Sequence, residues 1–401
     1  MHDDSATIEP ATLDAFVELV GPRVWQERLA GLRGLGARTR GGRALIARHC
    51  LELAIERQRR QPSAAISPAE QRIVALAADA VHVADTLSSA GRQRLRATLL
   101  GSFASQDTLV PVFHVLRTAA LQRSRGFEVE FAGWQEGACF DLLIRRDGAE
   151  AEIACDVVSA EEGHGVHHGA WFRLMDRIDP ELQTWLSAHP GRYLLKMTLP
   201  QGLRGGMEPP EVALAALHLR ISAMLGSACR ADHDEAAVLR LDPLLLAGAQ
   251  ADELGLMGSL RRDFGPEAHL SVVAARGGVF VLAGRGGQEN DVAVAVRRRL
   301  AEIAPMRLTG TRPGILAVFL EDTPREEWRL LREQLGLEGE ARQFLTNPAA
   351  RTVVAVTCTS RHEMLAQREP DAAPDGELRF RNPGHPAAKV AGLAPAVLSS
   401  L

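Results

Sequence analysis

The sequence is short of lysine. Of its 46 basic side chains only Lys196 and Lys389 are lysines, and the other 44 are arginines. Ala, Gly and Arg are abundant throughout, so we read this as coding bias, but it leaves any lysine-dependent chemistry two candidates. Cysteine is also scarce. Cys50, Cys139, Cys155, Cys229 and Cys358 are scattered and odd in number, with no C-x-x-C pair. That pattern reads as free thiols in a reducing cytoplasm and argues against a cysteine-built zinc site. No window approaches about 18 uncharged apolar residues, so no membrane-spanning helix is expected. The opening Met-His-Asp-Asp-Ser lacks a basic stretch followed by an apolar one, so no signal peptide is read. Nucleophile elbows, H-E-x-x-H and a dinucleotide fingerprint are missing. Gly284-Arg-Gly-Gly and Arg204-Gly-Gly are not followed by Lys-Ser/Thr, so neither is a phosphate loop, and no nucleotide cofactor is expected.

What is present is the composition of an ordinary globular protein: 401 residues, 46% hydrophobic and 24% charged, enough for two or three domains. Charge is uneven. Residues 1–126 hold 17 Arg against 12 acids, whereas the remainder is acidic, for a net charge of −4. Residues 23–60 alone contain ten arginines and three acids. They form either a basic face for phosphate backbones or an acidic partner, or a solvated helical surface. Aromatic residues are not interleaved with them, which favours the surface.

The apolar spacing predicts helices over 10–20, 25–35, 43–60, 67–87 and 91–100, with Ser67 as a cap and Pro68 in first position. A further helix over 107–125 stops at Gly126. The period then changes from helical to alternating. Strands are expected at 127–131, 140–145 and 151–158, the last two joined by an Asp147-Gly148 turn. A helix over 170–188 and a fourth strand over 192–199 follow. Beyond them the pattern alternates helices and strands: a helix over 209–229, a strand at 236–242, and loop and helix over 244–264. A hairpin around Arg276-Gly277, a helix over 291–303, a strand at 314–320, a helix over 325–337 and a strand at 352–359 complete it. Residues 366–386 read as irregular. The expected division is a helical region 1–103, a core 104–205, a second α/β segment 206–362 and a tail 363–401. No internal repeat is found.

Candidate chemistry converges on residues 127–168. In the strand over 151–158, Glu152, Ala154, Asp156 and Val158 share one face. Asp141 belongs to the neighbouring strand. A carboxylate inside an apolar strand costs free energy unless it is paired or metal-bound. Asp141, Glu152 and Asp156 could hold a hard divalent cation, which would activate a water for hydrolysis. His164, His167 and His168, with Glu161 and Asp156, offer a second possibility, zinc or another transition metal. Gly163 and Gly165 argue against a helix that would align these histidines. The segment from Arg379 through Phe380 to His385 has a basic and aromatic look.

The helix, the three-strand meander and Asp141 resemble the PD-(D/E)XK nuclease superfamily, in which an Asp ends one strand and Glu-x-Lys lies on the next. More narrowly, residues 153–168 resemble a pattern of bacterial members, in which Cys155, Ser159, Gly163 and His167 match in register. The resemblance covers about residues 105–200. It implies a restriction-endonuclease-like α-β-β-β-α-β core, Mg²⁺ or Mn²⁺ at Asp141, Glu152, Asp156 and His167, and DNA or RNA as partner. The chain departs from the pattern at its chemistry: Ala154 stands for Glu, Asp156 for Lys, Glu161 for Asp, Glu162 for Lys, and His164 and His168 for Arg. Glu152 could replace the lost carboxylate, and Lys196 the lost lysine from an adjacent strand. Three expectations follow. The first is a nuclease-fold protein with a degenerate centre that binds or scaffolds near nucleic acid. The second is an active Mg²⁺-dependent nuclease using Asp141, Glu152 and Lys196. The third is a protein-interaction module.

Overall fold

The computed structural model describes residues 10–34, 39–62, 65–104, 107–204, 210–227, 229–244, 260–261, 264–265, 267–275, 278–365, 367 and 370–400. The chain is mixed α/β and divides into two compact units. The first comprises residues 1–35, 46–160 and 293–401, and the second comprises 36–45 and 161–292. The four consecutive segments expected from the sequence thus become two units, each assembled from separated stretches.

The first unit begins with helices α1 (Pro10–Val20), α2 (Pro22–Gly34), the end of α3 (Arg40–Arg48), α4 (Cys50–Arg60), α5 (Pro68–Thr86), α6 (Ser89–Gly101) and α7 (Val110–Ser124). Ser67 caps α5 as its sequence predicts. Its hydroxyl accepts from the Glu70 amide at 3.3 Å, and the Glu70 carboxylate accepts from the Ser67 amide at 3.0 Å.

The sheet of this unit runs in the order β1 (Glu128–Glu130), β2 (Leu142–Arg146), β3 (Ala149–Ser159), β9 (Gly314–Glu321), β10 (Val353–Ser360) and β11 (Leu378–Arg381). β1, β2 and β3 form the expected antiparallel meander. Asp147 and Gly148 close its hairpin at φ values of 50° and 74°, the left-handed region that this turn needs. β9 pairs parallel with both β3 and β10. β9 and β10 are buried along their full length, as strands covered on both faces must be. Ile153, Cys155, Ile315, Ala317 and Phe319 turn one face toward the helical core with Phe16, Trp25, Ile55, Leu76 and Phe113. α8 (Ala132–Gln135) is a single turn between β1 and β2. Within the stretch read as an irregular tail, Leu378–Arg381 is a strand paired antiparallel with β10.

In the second unit, the sheet order is β5 (Ala231–His233), β6 (Val238–Pro243), β4 (Gly191–Leu199), β8 (Gly278–Gly286) and β7 (His269–Ala275). α9 (His168–Ala188) buries Trp171, Leu174, Met175, Ile178, Leu182 and Leu186, a helical stripe that packs on this sheet together with α10 (Pro210–Gly226). Residues 36–45 join the unit through Arg40, whose amide donates to Asp176 at 2.7 Å and whose guanidinium reaches the Val272 carbonyl at 2.8 Å. The Arg276-Gly277 turn and most of the loop and helix expected over 244–264 lie outside the described residues.

One expectation is corrected here. The helix over 170–188 and the strand over 192–199 exist, but they build the second sheet instead of completing the meander. The place beside β3 belongs to β9, which α11 (Val292–Arg307) immediately precedes. The chain after β3 leaves to form the second unit and returns beyond residue 292. Nearness in sequence was a poor guide to which strand pairs with β3.

Candidate functional site

The strand register sets the first site. Leu142 pairs with Ile153, so Asp141, one residue earlier, lies opposite Ala154 on the face shared by Glu152 and Asp156. α11 and the turn after it meet this face through their side chains, and each carboxylate finds a partner there. Asp141 accepts from the Cys155 amide at 2.7 Å and from Arg307 at 2.7 Å. Burial pushes its carboxyl above the usual range, with Arg307 opposing. Glu152 is wholly buried and accepts from the Thr309 amide at 2.9 Å and the Thr309 hydroxyl at 2.5 Å, with Arg312 3.6 Å away. Asp156 takes a two-pronged contact from Arg299, 2.5 Å from Nε and 3.2 Å from Nη2. Paired, planar donors of this kind are the strong form of the ion pair.

The structure therefore brings Asp141, Glu152 and Asp156 onto one face, as the sequence predicts, and adds Arg299, Arg307, Thr309 and Arg312. The sequence gives no signal for these four: Arg299 lies in the helix expected over 291–303, Arg307, Thr309 and Arg312 fall between it and the strand expected at 314–320, and no spacing ties any of them to the carboxylates. Lys196 stands elsewhere. It occupies the middle of β4 in the second sheet, with its Nζ 3.2 Å from Asp242 and 5.8 Å from the Phe264 ring centre. The expectation that it comes from a strand adjacent to the carboxylates is overturned, since β4 pairs with β6 and β8.

His167 also lies in the second unit, within a different cluster. Glu161 lies within a turn of 3-10 helix (Ala160–Gly163) and points its carboxylate at the start of α9. It accepts from the His168 amide at 2.9 Å and lies 2.6 Å from His168 Nδ1, 3.5 Å from His164 Nδ1 and 3.8 Å from His167 Nδ1. A carboxylate at a helix N-terminus is well placed electrostatically. Burial acts to raise the Glu161 carboxyl, but hydrogen bonds and charge from His164 and His168 outweigh it and hold the group far below the usual range. Burial lowers His167, and burial with the His168 charge lowers His269 to about 3. His269, at the start of β7, sets its ring centre 4.6 Å from that of His168. The sequence carries no signal for it, because no spacing links it to residues a hundred positions earlier.

As Gly163 and Gly165 predict, residues 164–167 are not helical. The loop is nonetheless fixed: Gly163 O accepts from Asp291, Gly165 O accepts from Leu203, and the His167 amide donates to Leu203 O, each at 2.8 Å.

The other candidates have structural partners. Arg57 pairs with Glu70, and Arg59 reaches Glu56 at 3.0 Å and Asp14 at 3.1 Å. The basic stretch is thus largely neutralised by nearby acids. Arg379 donates to Leu398 O at 2.8 Å and to Asp375 at 2.6 Å, which ties β11 to the C-terminal segment. Among the described residues, no helix is long and apolar enough to cross a membrane. No protein-family model, curated protein or solved structure matches the chain.

Proposed function

We propose that the first unit is a restriction-endonuclease-like core with a silent catalytic centre, and that the protein acts by binding or scaffolding on or near nucleic acid. The observation that carries this reading is the closure of the carboxylate face. A divalent cation needs carboxylate oxygens open to it. Here Thr309 takes both oxygens of Glu152, Arg299 takes both oxygens of Asp156, and Arg307 shares Oδ2 of Asp141 with the Cys155 amide. At the position where the resemblance calls for a water-orienting lysine, Asp156 instead faces a guanidinium. The succession α7, β1, β2, β3, α11, β9, with β9 parallel beside β3, supports the core reading, the second unit being carried between β3 and α11. Association with nucleic acid rests on that likeness of fold, which does not by itself set function.

The full chain and an Asp141→Ala variant are to be incubated with single- and double-stranded DNA and with RNA, in Mg²⁺ or Mn²⁺, while binding is followed by fluorescence anisotropy. We expect saturable binding without cleavage above the variant's background. Cleavage that needs the cation and disappears in Asp141→Ala would establish the active-nuclease reading in its place. Neither binding nor cleavage would leave the protein-interaction reading.

A further inference from the structure

We propose that Glu161, His164 and His168 bind a transition-metal ion, zinc in the first instance, with His269 lining the remaining coordination position. One ligand atom from each of the three residues can be chosen so that all lie within 4.8 Å of one another. Glu161 Oε1 to His164 Nδ1 is 3.5 Å. Ligands bonded to zinc at about 2.0–2.1 Å in a tetrahedron stand roughly 3.3 Å apart, so this edge already has the required length. The Glu161 to His168 contact, at 2.6 Å, is that of a hydrogen bond and would open by a fraction of an ångström as the ion replaces the shared proton.

The donor set is two imidazoles and one carboxylate. It suits zinc or a neighbouring first-row ion better than magnesium, which prefers oxygen alone. Three protein ligands also leave a fourth place open, as in sites that retain a water.

The surroundings fit a preformed centre. Gly163 cannot carry a side chain, since a Cβ there would lie 2.4 Å from Val292 Cα, so the backbone approaches closely at this point. The Gly165 amide is held by Asn290 Oδ1 at 3.2 Å, and the Leu203 bonds fix the same loop from the other side. The buried Trp171 ring packs 5.7 Å from His269, and Phe172 lies 6.4 Å from His168. This wall limits access of water and lowers the local dielectric, the setting in which outer residues tune a metal.

The test uses the full chain stripped with a chelator and titrated with Zn²⁺ against a chromophoric competitor, and separately with Co²⁺ followed by its visible absorption. We expect one saturable equivalent per chain, a Co²⁺ spectrum of four-coordinate intensity, and a higher melting temperature in Zn²⁺. Glu161→Gln and His168→Ala should abolish the tight equivalent, and His269→Ala should weaken it about 10- to 100-fold. His218→Ala, which removes a histidine beside Glu181 in the same unit, should leave it unchanged. His164 is buried and its alanine variant is the one most exposed to misfolding, so the decision rests on His168, a third exposed. Absence of a saturable equivalent overturns the proposal, and so does binding that survives His168→Ala in protein with an unchanged circular dichroism spectrum. In either case the cluster is a helix cap only. None of these readouts involves nucleic acid, so the outcome is independent of the reading given for the first unit.

Discussion

At the scale of single residues, His114 shows how burial decides what a titratable group can do. It sits on α7, fully enclosed, with Nε2 2.9 Å from the Ala317 carbonyl, so the neutral ring donates from Nε2. Its Nδ1 has no hydrogen-bond partner among the described residues. Burial lowers its pKa from 6.5 to about 4. The Ala317 bond and Asp156 across the sheet oppose the shift, while Arg117 on the same helix adds to it. The folded value is depressed, so below about 6.5 the unfolded chain takes up a proton that the folded chain refuses. The stability this group supplies is therefore complete above about pH 6.5 and is lost as pH falls to about 4. His114→Gln keeps a donor for Ala317 and removes the titration. Urea unfolding across this pH range should give a flatter profile for the variant, the difference amounting to the order of 3 kcal/mol at the acid end. His167 and His269, also lowered, are present in both proteins and cancel. Parallel profiles would mean that the ring is not the buried neutral group described.

At the scale of elements, the packing of α9 on the second sheet depends on Gly284 in β8. A Cβ at this position would lie 2.3 Å from Trp171 Cζ3. The indole cannot retreat, because it is buried and its Nε1 donates to Ser271 at 3.0 Å. Gly284→Ala should destabilise by about 1–3 kcal/mol, read as a lower urea midpoint. Gly169→Ala, in the first turn of α9 with nothing within 4 Å of its Cβ position, should be neutral or slightly stabilising. Equal effects from the two would refute the packing argument.

Elements set by local physics were legible in the sequence. The Ser67 cap, the Asp147-Gly148 hairpin and the alternation that places Glu152 and Asp156 on one face all come from neighbours in the chain. Strand pairing between distant segments was not, since two apolar runs competed for the place beside β3. A cue was available. β9 carries no charge before Glu321, as a strand covered on both faces requires, whereas β4 carries Lys196 at its centre. The partners of the carboxylates were hidden for the same reason. Arg299, Arg307 and Thr309 acquire meaning only once α11 and the turn after it are known to meet the carboxylate face. The histidine cluster was half legible: Glu161, His164 and His168 are close in sequence, while His269 arrives by sheet pairing.

At the scale of the whole molecule, the second unit enters after Ala160 and leaves before Ala293, and the two ends of this insert meet. Asp291 donates to Gly163 O at 2.8 Å, and the Gly163 and Val292 backbones are in contact. Ends that lie together are what allow one domain to be carried inside another, because the host chain then needs little extra length to close the gap. We therefore expect that replacing residues 161–292 with a short Gly/Ser linker leaves a first unit that still unfolds cooperatively. Its core of α1, α2, α4, α5 and α7 against β2, β3 and β9 takes no residue from the insert. Residues 36–45, which belong to the second unit, would remain between α2 and α4 and could be shortened in the same way. The shortened chain also separates the two functional readings. It lacks Glu161, His164, His168 and His269, so Zn²⁺ should no longer raise its melting temperature. It retains Asp141, Glu152 and Asp156 with their arginines, so any nucleic-acid binding that belongs to the first unit should persist within a few-fold. Thermal unfolding followed by circular dichroism, with and without Zn²⁺, makes the comparison. A shortened chain with helical signal but no cooperative transition would show that β3 and β9 do not pair stably without the insert, and the division into two self-supporting units would have to be abandoned.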